Sequence, residues 1–365
     1  MKQGFFSLYL PSTSIDVAVK HLSLTLVKFK FLFFILFNLT TLSAGFYSAE
    51  ILLNRYKPWE IIKGNPNLNN KNTTWGVPFF NNRFGFRERE FTVSKQRGVY
   101  RIMVLGDSFT FGVGLKTEDR YTDVLEKSLN QRFPRKKWEV LNFGLNGAST
   151  VDEMKTLKAF HSQVQPDRII VGFCRNDPKQ EMEYLSPERI RFEKRYGEYI
   201  ESVVRLFDQH QLSALGSISR TAFYKFSEIV GFFPHWTVAL GRSYEPTSAD
   251  WIKFCEALTE IKRVSDGMKL PPPVFAVLNA GLRKDKPTDY RLPAARLRLH
   301  LKWYHQAEEA AKKIGFETLN YEKEIADEMQ NEILTVNRYD WHSSAKLNHL
   351  YARKIFGIIV SDRQK

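Results

Sequence analysis

Ser108 lies in Val104-Leu-Gly-Asp-Ser-Phe-Thr-Phe-Gly-Val-Gly114, where an apolar run from Tyr100 to Leu105 stops at Gly106-Asp107 and a glycine-rich turn follows. Such a run reads as a buried strand, and its carboxyl end is where open α/β sheets bind ligands. A hydroxyl placed there is a candidate nucleophile; its plainer use is to cap a following helix. A nucleophilic serine needs a base, and Arg338-Tyr-Asp-Trp-His-Ser-Ser-Ala-Lys346 sets Asp340 and His342 two positions apart, just ahead of a helical pattern over Ala345–Ile359. Residues two apart in extended backbone share a face, so Asp340 could orient His342 while the other ring nitrogen takes the Ser108 proton. An Asp-x-His pair alone is more often surface or capping chemistry, and only its position after a fifth strand brings it to the same edge. Attack on a carbonyl also needs donors for the oxygen that becomes negative. A backbone N–H at Gly147 and the amide of Asn176 are the candidates, glycine suiting a close approach that tolerates no Cβ.

The elements that must position these groups are five short apolar runs, Tyr100–Leu105, Trp138–Asn142, Arg168–Cys174, Val274–Leu278 and Phe316–Asn320, alternating with helical patterns. That alternation predicts a three-layer α/β/α fold with a five-stranded parallel sheet covered on both faces. In a flavodoxin-like strand order, the ends carrying Ser108, Gly144-Leu-Asn-Gly147 and Asn176-Asp177 meet at the topological switch point. The third and fourth runs are separated by far more than one crossover. A helical insertion over about 178–270 is expected there, serving either as a cap over the carboxyl edge or as extra helices thickening one layer. Gly231-Phe-Phe-Pro-His-Trp-Thr-Val-Ala-Leu240, within it, is apolar enough to touch a membrane or a partner, and a packed interior explains it equally.

Ahead of the domain, Phe31 to Ala49 runs for roughly 19 residues without a charge, near the length of a membrane-crossing helix. Lys20, Lys28 and Lys30 precede it, which places residues 1–30 as a cytoplasmic leader, 31–53 as a transmembrane anchor, and the remainder on the far, extracytoplasmic side. A cleaved signal peptide with secretion is the competing reading, disfavoured by the long charged leader. Residues 54–96, Asn-rich and interrupted by proline, read as a stalk and lead-in to a domain over 97–365. The formal charge of +14, from 54 Lys+Arg against 40 Asp+Glu, admits an acidic polymer, an anionic membrane surface or nucleic acid. The last is the weakest, since no basic run with interleaved aromatics and no nucleic-acid-binding signature is present. Two cysteines are too few for a disulfide framework or a metal site, and Cys174 reads as a buried small hydrophobe. No metal and no cofactor are expected, because no His/Cys/carboxylate cluster has ligand spacing and Gly106–Gly112 lacks a P-loop ending.

Taken together, Gly106-Asp107-Ser108, Gly147 within Asn142-Phe-Gly-Leu-Asn-Gly, Asn176-Asp177 and Asp340-Trp-His342 resemble, in that order, the four blocks of the SGNH or GDSL-type hydrolase superfamily, over Tyr100 to the C-terminus. The resemblance implies Ser108 as nucleophile, His342 as base, Asp340 as its orienter, and an oxyanion hole from Ser108, Gly147 and Asn176. It implies an ester hydrolase acting on acyl groups, with an acylated carbohydrate or other small ester as partner. Three positions depart from the usual pattern: Cys174-Arg-Asn-Asp in place of Gly-x-Asn-Asp, Asp-x-His in place of Asp-x-x-His, and Ser343-Ser344 in place of Pro-Asn. The second is similar to membrane-associated polysaccharide O-acetyltransferases of the superfamily, so acyl transfer stands beside hydrolysis, and a non-catalytic glycan-binding or assembly role is the third reading. His161, His300, His305 and His349 fall in helical patterns as packing or surface residues, Asp107 as support for the turn. Arg175 reads as a surface ion-pair partner or a contact for an anionic substrate.

Overall fold

A computed structural model describes residues 32, 36, 38, 40–55, 69–70, 72–179, 186–279, 294–329, 332, 334–337 and 340–361. Five parallel strands form the central sheet: β1 (Val99–Gly106), β2 (Lys137–Gly144), β3 (Arg168–Phe173), β4 (Val274–Val277) and β5 (Glu317–Leu319). Their spatial order is β2-β1-β3-β4-β5, the flavodoxin-like order expected from the alternation, with β1 in register between Gly144 of β2 and Gly172 of β3. Every residue of β3 and β4 is buried, as a sheet covered on both faces requires.

Alternate residues of each strand serve opposite layers. Ile102, Val104, Val140, Ile170, Val274 and Ala276 pack with Leu125, Leu129, Leu347, Leu350 and Ile355 of helices Tyr121–Arg132 and Ala345–Ser361. Met103, Leu105, Leu141, Phe143, Val171, Phe173 and Phe275 pack on the other side with Leu157, Phe254, Leu258, Ile261, Tyr304 and Ala307. These come from helices Thr150–Val164, Ala249–Gly267 and Ala294–Ile314. The period of two in the strands and the apolar stripe of each helix make this division.

Between β3 and β4 the chain forms helices Pro187–Gln209, Ser213–Ile229, Trp236–Ser243 and Ala249–Gly267. The last packs against Thr150–Val164 and Ala294–Ile314, so this part of the 178–270 insertion is layer and not cap. The chain divides into two units. Residues 72–198 and the portion from Tyr224 onward lie in the unit that holds the sheet. In the other, the helical residues 40–55 meet residues 199–223: Glu50 accepts hydrogen bonds from the N–H groups of Ala214 and Leu215, each at 3.0 Å, capping the start of helix Ser213–Ile229, and Phe46 meets Phe207 edge to face. A carboxylate at that position satisfies donors that have no intrahelical acceptor. Among the described residues no helix is long and apolar enough to cross a membrane; the expected span over 31–49 lies only partly among them.

Candidate active site

Strand β1 ends in a helix of one turn, Ser108–Phe111, set directly on the strand ends. It fits there because the neighbouring strand residues lack side chains. A Cβ on Gly144 would come within 2.3 Å of the Phe111 nitrogen, and one on Gly172 within 2.5 Å of Thr110 Oγ1. Asp107, not Ser108, is the N-cap, accepting from the Phe109 N–H at 2.8 Å. Ser108 is therefore the first helical residue, and its own N–H is among those with no acceptor inside the helix. The other end of the turn is held by Arg87, buried, which donates to the carbonyls of Gly112 and Leu115, both at 2.6 Å. Burial and the nearby Arg120 lower the pKa of that guanidinium to about 10.

Asp340–Ser343 and Thr335–Asn337 form a two-stranded antiparallel hairpin before helix Ala345–Ser361. The extended backbone puts Asp340 and His342 on one face, as their spacing requires. His342 Nδ1 bonds to Asp340 Oδ1, and His342 Nε2 stands 2.8 Å from Ser108 Oγ. The Asp340 carboxylate also accepts from the His342 N–H at 2.9 Å and from the indole N–H of Trp75. Burial raises its pKa, but the His342 hydrogen bond and charge, aided by Trp75, more than offset this and leave it below the usual carboxylate value. The ring of Phe109 lies 4.9 Å from that of His342 and limits its rotation. Ser343 and Ser344, at the positions where the family pattern has Pro-Asn, anchor the hairpin. Ser343 Oγ lies 3.1 Å from Tyr351 Oη, and Asn348 Nδ2 donates to both serine carbonyls.

The loops after the first three strands are tied to one another. The Leu145 N–H donates to the Gly106 carbonyl at 3.1 Å, and the Thr150 N–H to the Asp177 carbonyl at 3.2 Å. Asn176 Nδ2 donates to Asp107 Oδ2 at 3.0 Å, the oxygen 3.4 Å from Ser108 Oγ. Gly147 sits on the tied turn after β2 with φ +75°, in the left-handed region that a side chain disfavours. Ser108, His342 and Asp340 are thus joined in one hydrogen-bonded line, Asn176 reaches the Ser108 loop through Asp107, and Gly147 shares the edge without a direct bond to Ser108.

Beneath this edge lies a set of acids. Asp107, Glu153 and Asp177 are all buried. Burial raises the pKa of each; the charges of its neighbours Asp107 and Asp152 add to the rise at Glu153, and those of Glu153 and Asp107 at Asp177. Both oxygens of Glu153 and Oδ1 of Asp177 have no hydrogen-bond partner among the described residues. Trp75, Arg87 and Glu153 carry no signal in the sequence that marks them as part of the site. Among the described residues no group of three His, Cys, Asp or Glu side chains is arranged to hold a metal.

Residues 104–260 match the GDSL-like lipase/acylhydrolase family. This segment of the chain is similar to the SGNH/GDSL hydrolases. An ester hydrolase is the enzyme class that this match supports, and it takes in the segments of Ser108, Gly147 and Asn176. Among solved structures, an acetyl xylan esterase, AlAXEase, aligns at 11% identity and TM-score 0.42 over 71% of this chain and 99% of its own. A lipase/acylhydrolase from Enterococcus faecalis aligns at 14% identity and TM-score 0.39 over 71% and 96%. An R55A mutant of Axe2, an acetyl-xylooligosaccharide esterase from Geobacillus Stearmophilus, aligns at 11% and 0.39 over 70% and 92%. Compared by sequence with curated proteins, the chain matches none.

Proposed function

We propose that this chain is a serine esterase that removes acetyl or other short acyl groups from a carbohydrate or lipid-linked sugar through an acyl-enzyme. The observation that carries the reading is the line Asp340–His342–Ser108, with 2.8 Å between His342 Nε2 and Ser108 Oγ. In the reaction, Ser108 Oγ attacks the ester carbonyl as His342 Nε2 takes its proton. The imidazolium that forms is stabilised by the Asp340 carboxylate, and the same proton passes to the departing alcohol. Water, deprotonated by His342, then releases the acid and restores Ser108. The negative oxygen of each tetrahedral intermediate is assigned to the N–H groups of Ser108 and Gly147 and to the second N–H of the Asn176 amide, the first being held by Asp107.

The Asp-x-His spacing favours a second reading, in which a sugar hydroxyl takes the place of water and the enzyme is an O-acetyltransferase. Both use the same residues, and the choice of carbohydrate rests on that resemblance. The protein is further proposed to be anchored through residues 31–49 with the catalytic domain on the far side of a membrane, which N-terminal sequencing of the mature protein and protease protection of intact vesicles would test. The activity is tested with 4-nitrophenyl acetate, with and without an acceptor oligosaccharide. A burst of nitrophenol followed by steady release, lost by a factor of about 10³ or more in Ser108→Ala, is expected. Acetylated acceptor would select the transferase, whereas turnover unchanged in Ser108→Ala would remove both readings.

A further inference from the structure

Arg175 stands immediately before Asn176, at the position of the third block that the family pattern leaves open. Its backbone carbonyl accepts from the Tyr244 hydroxyl at 2.6 Å, which fixes the loop that also carries the Asn176 amide. The guanidinium carbon lies 4.1 Å from the ring centre of Trp341 and 5.4 Å from that of Trp236, and Nη1 lies 3.3 Å from His300 Nδ1. Trp341 is the residue between Asp340 and His342, so the cation is held against the same strand that carries the base.

Among the described residues the guanidinium has no counter-charge. Three of the buried arginines of the domain pair with a carboxylate, Arg101 with Glu139, Arg120 with Asp123 and Arg168 with Glu317, while Arg87 spends its N–H groups on backbone carbonyls. Arg175 is only partly buried, and among the described residues no carboxylate lies within ion-pair distance, so the ion-pair role expected for it is not what the structure shows. Indole faces hold a cation by their quadrupole without neutralising it, and they immobilise the side chain before any ligand arrives. One N–H faces the imidazole, leaving the rest of a planar fork whose geometry matches a carboxylate.

We propose that Arg175, framed by Trp236 and Trp341, is a specificity subsite that binds a carboxylate carried on the alcohol part of the ester, as in an acylated acidic sugar. The inference rests on the esterase reading for the placement of the ester at Ser108. Binding in this subsite would fix the alcohol portion beside the oxyanion loop, so that its effect appears in the choice between substrates.

Phenyl acetate and 4-acetoxybenzoate differ by one carboxylate on the leaving alcohol, and the quantity to measure on the full chain is the ratio of their kcat/KM values. Arg175→Met, which keeps an unbranched stem against the indoles, is expected to lower the ratio of the anionic to the neutral ester by about ten- to a hundredfold. The change should lie mainly in KM, and Arg175→Lys should retain part of the preference. An unchanged ratio, or equal loss for both esters, would overturn the proposal in favour of simple support for the loop. Titration calorimetry of Ser108→Ala with glucuronate reads the subsite without turnover. Binding lost on adding Arg175→Met supports the subsite even if no ester is cleaved, whereas ester cleavage without any such binding leaves the esterase reading standing and removes this one. Phenyl phosphate competing better than benzoate would also overturn the assignment to a carboxylate.

Discussion

Two sets of carboxyl groups lie at the same edge of the sheet and behave in opposite ways. Asp340, on the hairpin, accepts from three donors, the ring and backbone N–H of His342 and the indole of Trp75, and its pKa is lowered despite burial. Glu153 and Asp177, under the loops, have three oxygens with no hydrogen-bond partner among the described residues, and their pKa values are raised well above the usual range. Asp107 stands between them. It too accepts from three donors, Phe109, Asn176 and, at 3.4 Å, Ser108, yet complete burial still raises its pKa. Side-chain chemistry is alike in all four, so what separates Asp340 from the others is the balance between desolvation and the hydrogen bonds and charge that His342 brings.

Removing the charge from the member with the lowered pKa gives the largest effect expected. Asp340→Asn should lower kcat for 4-nitrophenyl acetate by about a thousandfold to ten-thousandfold, because an amide can hold the imidazole in the wrong tautomer. A loss below tenfold would mean that Asp340 only shapes the hairpin. Next is the support common to both regions. Gly144→Ala puts a methyl against the turn that carries Ser108, and should cost about 1–3 kcal/mol in chemical denaturation together with most of the activity. If stability falls while turnover is retained, the turn does not need its seat.

Two smaller changes act on the donors and the acids separately. Trp75→Phe deletes one donor to Asp340 and keeps an aromatic ring; about a tenfold loss in kcat with KM little changed is expected from steady-state kinetics. Glu153→Gln tests the acids through stability. Their native pKa values are raised, so the native state holds protons that the unfolded chain gives up, and stability falls as pH climbs from the ordinary carboxyl range towards the raised native values. The substitution should remove the Glu153 share of that slope, with a gain of about 1 kcal/mol near pH 8 that shrinks near pH 5 in thermal melts. A gain equal at both values would show that Glu153 is not a buried acid. The lowered pKa of Asp340 works in the other direction, its contribution being lost only as pH falls below the ordinary carboxylate range.

Much of this arrangement could be read from residue order. Five apolar runs marked the strands to within a residue or two, since buried parallel strands admit little else, and Ser108, Asn176, Asp340 and His342 stood out as reactive types at strand ends. What stayed hidden depends on long-range contact. Trp75 reaches Asp340 across 265 positions from a segment without periodicity. Arg87 clamps the Ser108 turn from the same segment, which had read as stalk and lead-in. Glu153 lies in the first turn of helix Thr150–Val164, where an acid is ordinary, and only its burial distinguishes it. The helix Ala249–Gly267 joined a covering layer because its apolar face matched that of Thr150–Val164, a pairing that no local pattern announces.

The central claim is that Ser108 is a nucleophile activated by His342. Labelling of the full chain with a fluorophosphonate, followed by peptide mass analysis, tests it most directly. The account predicts a single phosphonylated residue, Ser108, with labelling slowed by at least about a hundredfold in His342→Ala. Label on another residue, or a rate indifferent to His342, would contradict it.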